Sequence, residues 1–102
     1  MADWGMAVLV LREGLVCGSD TNAVLIDGQY RLNGSVLVVD VTATVPPGVA
    51  LVQGAPAQPT TYQLPIHAEF PLDRIGTSQP TLVQTPAGPI NTLLRKLRDL
   101  TV

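Results

Sequence analysis

The chain has 102 residues, of which 46% are hydrophobic and only 14% are charged, and its net charge is -2. This length fits a single domain over residues 1–102. The weakly acidic balance argues against direct nucleic-acid binding, which needs clustered Lys and Arg. With one cysteine, the chain has no intramolecular disulfide. Without a signal-peptide pattern or an apolar run of membrane-spanning length, the sequence predicts a cytoplasmic protein with no membrane span.

Two short apolar segments, 6–11 and 15–17, predict a hairpin, because a break of about three residues that ends in Gly is a common connection. Residues 18–22 are turn residues and predict a corner. Strand character resumes at 23–32, where Asp27-Gly28 interrupts the apolar run. A Gly within a strand favours a bulge or a close backbone approach, so one bent strand is preferred. A hairpin turn at this dipeptide is the alternative.

Asn33-Gly34 predicts a type I′ hairpin turn, since both central positions need positive φ. Residues 35–45 then alternate between an apolar and a polar face, which is typical of a half-buried strand. Pro46-Pro47-Gly48 ends this strand. Residues 49–59 predict a loop with one turn of helix.

Residues 60–70 alternate again, and Pro65 places this strand at a sheet edge or a bulge. A turn region follows at 71–79 and a short strand at 81–85. The leucines of residues 90–102 have helical spacing, which favours a helix. Many short strands separated by turns indicate a mainly β domain, a meander closed into a small barrel or a sandwich.

The glycines and their neighbours in the first half of the chain follow a family pattern: Gly5, Val8 to Leu11, Gly14, Val16 to Thr21, Gly28, Tyr30, Gly34 and Leu37 to Val45. In this order and spacing the chain resembles the GrlR-like negative regulators of type III secretion, which are small lipocalin-like β-barrels of bacteria. The family's strand ahead of Gly5 has no counterpart, and Ser19 replaces a family glycine. The resemblance therefore implies a barrel one strand short, left open or completed between subunits.

By the same resemblance, the protein is a non-enzymatic regulator that acts through protein–protein contact, as a homodimer, on a transcriptional regulator. The family analogy makes the C-terminal LLRKLRDL segment a closing strand, against the local helical pattern. The alternative function is a lipocalin-like carrier of a small apolar ligand. No catalytic, cofactor-binding or metal-binding residue is predicted.

Two polar residues, Asp20 and His67, are candidates for catalysis. Asp20, between Ser19 and Thr21, is better explained as a residue that caps its own turn. His67, the single histidine, shares a strand face with Gln63 and Glu69 and is expected to be solvated. An acid–base or metal role for His67 is the alternative.

The other residues considered as possible sites are expected to have structural roles or to lie in solvent. Cys17 has no activating neighbour and is expected to be a buried small residue rather than a redox thiol. For Trp4 and Met6, a place in the core and a place in a cavity or dimer contact are equally supported. The C-terminal cations are Arg95, Lys96 and Arg98; a solvated face is predicted for them, and a nucleic-acid patch is the alternative.

Overall fold

The computed structural model describes residues 5–51 and 56–98 of the chain. This part is mainly β, as predicted, with seven strands and one turn of 3-10 helix at Leu72–Arg74. The strands are β1 (Ala7–Arg12), β2 (Leu15–Asp20), β3 (Leu25–Asn33), β4 (Val36–Val45), β5 (Tyr62–Pro71), β6 (Thr81–Thr85) and β7 (Gly88–Thr92).

The first five strands form one antiparallel sheet in the order β1-β2-β3-β4-β5, which is the chain order of a meander. Strands β6 and β7 form a separate hairpin. In the described part of the chain no strand pairs with the free side of β1, so the hydrogen-bonded ring of a barrel is not closed there.

Alternation gives the five-stranded sheet an inner and an outer face. The inner face carries the core, because its side chains pack against the β6–β7 hairpin through Val83 and Ile90. The buried residues of the two core clusters are Val16, Leu37, Val39, Ala68, Phe70 and Val83, and Val24, Ala43 and Val45. The predicted alternation of the β4 strand is confirmed from residue 39 onward, since Val39, Ala43 and Val45 are buried and Asp40 is exposed, whereas Val38 on the opposite face is also buried.

Two glycines let neighbouring strands approach closely on the inner face. A Cβ atom on Gly18 would lie 2.1 Å from the carbonyl oxygen of Val8, and one on Gly28 would lie 2.2 Å from that of Asp40. Strand β3 runs through Gly28 without reversing. The preferred prediction of a single strand with a close backbone approach at Gly28 is therefore confirmed, although the strand begins at Leu25 rather than at residue 23.

The β1–β2 hairpin is confirmed, but its loop is shorter than predicted. Arg12 pairs with Leu15, which leaves Glu13 and Gly14 as a two-residue turn. Both have positive φ, 52° and 83°, as a type I′ turn requires. Arg12 is therefore a strand residue rather than part of the loop.

The β3–β4 hairpin is also confirmed, but its turn lies one residue later than predicted. Asn33 pairs with Val36, so the turn residues are Gly34 and Ser35. Of these only Gly34 has positive φ, at 60°, which fits Gly at the first central position of a type II′ turn. The type I′ turn at Asn33-Gly34 was therefore a wrong prediction.

Strand β5 forms the other edge of the sheet, as Pro65 predicted. The amide of Leu72 donates to the carbonyl of Ser35. In an antiparallel ladder, the backbone groups of alternate residues point toward the partner strand. The backbone groups of the even-numbered residues of β5 therefore point toward β4, and the backbone nitrogen of residue 65 points away from it. Proline is tolerated there because no ladder hydrogen bond is lost.

Residues 93–98 of the C-terminal segment contradict both the helix of the local pattern and the closing strand of the family analogy. Residues up to Thr92 belong to β7, and residues 93–98 have no regular secondary structure. Leu94 packs on the core, and its carbonyl accepts from the amide of Gly76 at 2.7 Å. Tertiary packing thus overrides the leucine spacing, and residues 99–102 lie outside the described residues. The described parts of the 49–59 loop, residues 49–51 and 56–59, contain no helical turn.

None of the described residues, 5–51 and 56–98, lies in a helix long and apolar enough to cross a membrane.

Candidate functional site on the outer face of the sheet

The outer face of the sheet is divided into an apolar part and a polar part. The apolar part lies on β1, β2 and the start of β3, and its large aliphatic side chains are between 46% and 59% exposed. We call it the outer patch; its members are Val8, Val10, Leu15, Cys17 and Leu25. Apolar side chains that cluster in solvent on one face mark an interaction surface more often than single exposed ones do.

The register of the strands makes the outer patch continuous. Val10 pairs with Cys17 across β1 and β2, and Cys17 pairs with Asp27 of β3. Leu15 and Leu25 are the diagonal neighbours of these pairs, within reach of long side chains. Cys17 therefore lies at the centre of the outer patch.

A groove of about 380 Å³ adjoins the outer patch at Leu15. Its polar lining includes Glu13, Arg31 and Asp40, while Val38 forms an apolar floor and is only 2% exposed. An apolar centre bordered by charged residues of both signs is the usual anatomy of a protein-binding surface.

The polar part of the outer face holds a three-residue cluster around His67. Asp40 of β4 is the direct cross-strand partner of His67, and Glu69 follows two residues later on the same face of β5. The Nδ1 atom of His67 lies 2.6 Å from Asp40 Oδ1, and its Nε2 atom lies 2.8 Å from Glu69 Oε2. All three side chains are more than half exposed.

The two carboxylates favour the charged imidazole. Hydrogen bonds from the ring to Glu69 and then to Asp40 raise the pKa of His67 above its ordinary value of 6.5. A ring that donates from both nitrogens is an imidazolium. Since each nitrogen already faces a carboxylate, neither is free in this arrangement to accept a substrate proton or to bind a metal. Within residues 5–51 and 56–98, no group of three or more His, Cys, Asp or Glu side chains is placed to hold a metal ion.

The sequence placed His67 correctly on the exposed face with Glu69 but missed Asp40. The side chain of Gln63 lies farther along that face and donates to Thr44 Oγ1 at 3.3 Å. Asp40 was visible as a polar-face residue of its strand. Its pairing with His67 depends on the β4–β5 register, which no tight turn fixes.

Asp20 caps the turn after β2, as predicted. Its Oδ1 atom accepts from the backbone amides of Asn22 at 2.8 Å and Val24 at 2.9 Å. Strand β2 extends to Asp20, so the corner begins later than the residue types indicated. Asp20 and His67 lie on opposite faces of the sheet by register, so the structure does not bring them together.

Cys17 is exposed, and the prediction that it is buried was wrong. Alternation explains the error: Val16 is fully buried on the inner face, so its neighbour Cys17 must point outward. The three-residue apolar segment was too short to reveal which of its residues face the core.

The remaining candidates are mostly exposed. Met6 is 58% exposed, which is against the core alternative, while Trp4 lies outside the described residues. Arg95, Lys96 and Arg98 are exposed, as predicted for a solvated segment.

The hollow at the inner side of the sheet offers no space for a ligand. It is lined by residues that include Phe70, Ile75, Thr81 and Leu94, and it has no volume for even a water-sized sphere. The described inner surface there is packed as a protein core.

Comparison with protein-family models, with curated proteins and with solved structures gave no match to this chain.

Proposed function

We propose that this protein is a non-enzymatic regulatory or binding protein that acts through protein–protein contact. The observation that supports this proposal is the outer patch, whose aliphatic side chains are about half exposed although the chain has an inner face on which to bury them. Burying a Leu or Val side chain is worth about 1.5–3 kcal/mol. A partner that covers the patch gains this free energy.

The kinship that fits this proposal is with the GrlR-like, lipocalin-like barrels, and the partner by that resemblance is a transcriptional regulator. The close strand approaches at Gly18 and Gly28 support such a barrel ancestry, because glycines at such positions let a sheet bend. Carriage of a small apolar ligand is the alternative function, and the packed inner hollow lends it no support.

The test is a capture experiment with matched variants. L15S/L25S removes two aliphatic side chains of the outer patch, which are 59% and 56% exposed. L82S/L93S is the control, because Leu82 and Leu93 have similar exposure, 57% and 60%, but lie outside the patch. All four positions are solvent-exposed, so both variants should fold.

Wild-type protein and the control should retain the same partner from a lysate of the native host. L15S/L25S should bind that partner at least about tenfold more weakly in a purified binding assay. Equal retention by all three proteins, or no specific partner for the wild type, would contradict the proposal.

A further inference from the structure

The free edge of β1 presents an unprotected strand. Its sequence AVLVLR has no Pro, no bulge interrupts its register with β2, and its single charge is at the last residue. Natural sheets usually protect such an edge with Lys, Pro or a bulge, because unpaired backbone groups bind another strand. In the described part of the chain no strand is hydrogen-bonded to this edge.

The hydrogen bonds to β2 define which backbone groups are left over. The amide of Thr21 donates to the carbonyl of Met6 at 3.1 Å, and Arg12 and Leu15 flank the two-residue turn. Both observations show that the backbone groups of the even-numbered residues of β1 point toward β2, because bonded pairs alternate in an antiparallel ladder. The N–H and C=O groups of Ala7, Leu9 and Leu11 therefore point to the free edge.

We infer that β1 pairs antiparallel with β1 of a second copy of this chain, with Leu9 opposite Leu9 of the partner copy. This register alone engages all three outward-pointing residues of both strands, forming about six backbone hydrogen bonds. It is isologous, so the same contacts occur twice around a two-fold axis. The inference deepens the proposed function by specifying one protein contact and its geometry.

The side chains of β1 are complementary to themselves in this register. On the outer face Val8 lies opposite the partner copy's position 10, so both pairs are aliphatic. On the inner face the small Ala7 lies opposite the larger Leu11 of the partner copy. Arg12 falls opposite Met6, so no like charges meet. A second copy thus provides hydrogen-bond partners for the backbone of β1 and matching side chains on both of its faces.

Charge-swapped variants test both the partner and the register. V8K/V10E places each Lys opposite a Glu of the other copy, whereas V8K/V10K places Lys opposite Lys at both pairs. Val8 and Val10 are 53% and 46% exposed, so the same two positions are changed without opening the core. Molar mass is measured by sedimentation equilibrium on purified protein at several concentrations and salt levels.

Wild type and V8K/V10E should be dimers, and V8K/V10K should have a Kd about tenfold or more higher, with part of the loss recovered in high salt. A wild type that is monomeric at about 100 μM would overturn the inference, as would equal Kd values for the two variants. Equal weakening of both variants would show that residues 8 and 10 do not face each other.

Cysteine trapping covers the case in which a charged variant does not fold. In a C17S background, V8C/V10C should form an intermolecular disulfide, because directly opposed residues outside the bonded pairs have Cα atoms about 4.5 Å apart. L82C in the same background should not, and failure of V8C/V10C to link would count against the pairing. Because these measurements use the purified chain alone, their outcome is separate from whether L15S/L25S loses a captured partner.

Discussion

Gly28 and Asp40 approach each other so closely that a Cβ atom on residue 28 would lie 2.2 Å from the carbonyl oxygen of Asp40. The obstacle is backbone in the middle of the sheet and cannot swing aside as a side chain can. Strands β3 and β4 are held at this distance by a ladder that runs the full length of β3.

Gly28→Ala should therefore lower the free energy of unfolding by about 3 kcal/mol, as overpacking in a well-ordered core does. Urea denaturation followed by circular dichroism measures the change. Gly48→Asn is the control, because Gly48 has open space around it and a φ of 79°, which Asn tolerates in a turn. A loss at Gly28 no larger than at Gly48 would show that the strands can separate at little cost.

Glu13→Asn should stabilise the protein by about 0.5–1 kcal/mol. Glu13 has a φ of 52° and precedes Gly14 in the β1–β2 turn, so the substitution creates the Asn-Gly pair that a type I′ turn favours. Thermal unfolding of the two proteins at one pH gives the comparison. Glu13→Val, which places a β-branched residue at positive φ, should change stability in the opposite direction.

Asp20→Ala should cost about 2 kcal/mol, because two backbone amides lose a charged acceptor. One of them belongs to Val24, which is only 4% exposed. Asp20→Asn keeps a side-chain oxygen and should cost less. If both variants unfold at the same urea concentration as the wild type, the cap does not stabilise the turn.

Cys17 should react with an aromatic disulfide reagent in the folded protein without denaturant, since its side chain is exposed on the outer face. Cys17→Ser should change stability by less than about 0.5 kcal/mol, as surface substitutions do. A thiol that reacts only in denaturant would show that the patch is covered in solution.

The titration of His67 should have a midpoint above 6.5, because Glu69 and Asp40 raise its pKa. The chain has one histidine, so the imidazole proton signals in an NMR titration belong to it alone. Glu69→Gln and Asp40→Asn should each lower the midpoint, since the hydrogen bonds to Glu69 and then to Asp40 are the largest causes of the shift.

The sign of the effect on stability follows from the raised pKa. The contribution of the cluster is fully present below the unfolded-state pKa and is lost as pH rises through the folded-state pKa. Compared with His67→Gln, wild-type protein should be relatively more stable at pH 6 than at pH 9. A difference that is independent of pH would contradict the ion-pair assignment.

The strands of this protein were largely predictable because their signals are local. The last seven residues of β4 alternate between apolar and polar, and Gly14, Gly34 and Pro46 lie at or next to the true strand ends. The β3–β4 turn shows where local signals stop. A turn centred one residue later shifts the register by two, so every side chain keeps its face and the alternation cannot distinguish the two arrangements.

The polar cluster and the outer patch depend on contacts that no local pattern encodes. Asp40 and His67 meet only through the register of β4 and β5, which are joined by a long connection. The predicted burial of Cys17 was wrong because its apolar segment is too short to show which of its residues face the core. The C-terminal leucines show the opposite case, in which a clear helical spacing yields to packing of Leu94 on the core.

The two edges of the five-stranded sheet are chemically unequal, and this limits the addition of further strands to the sheet. At the β5 edge, positions 65 and 71 have proline, so two of the outward-pointing amides that a new strand needs are missing there. With β1 paired to a second copy as proposed, the five-stranded sheets would present only their β5 edges, where strand addition lacks two backbone hydrogen bonds.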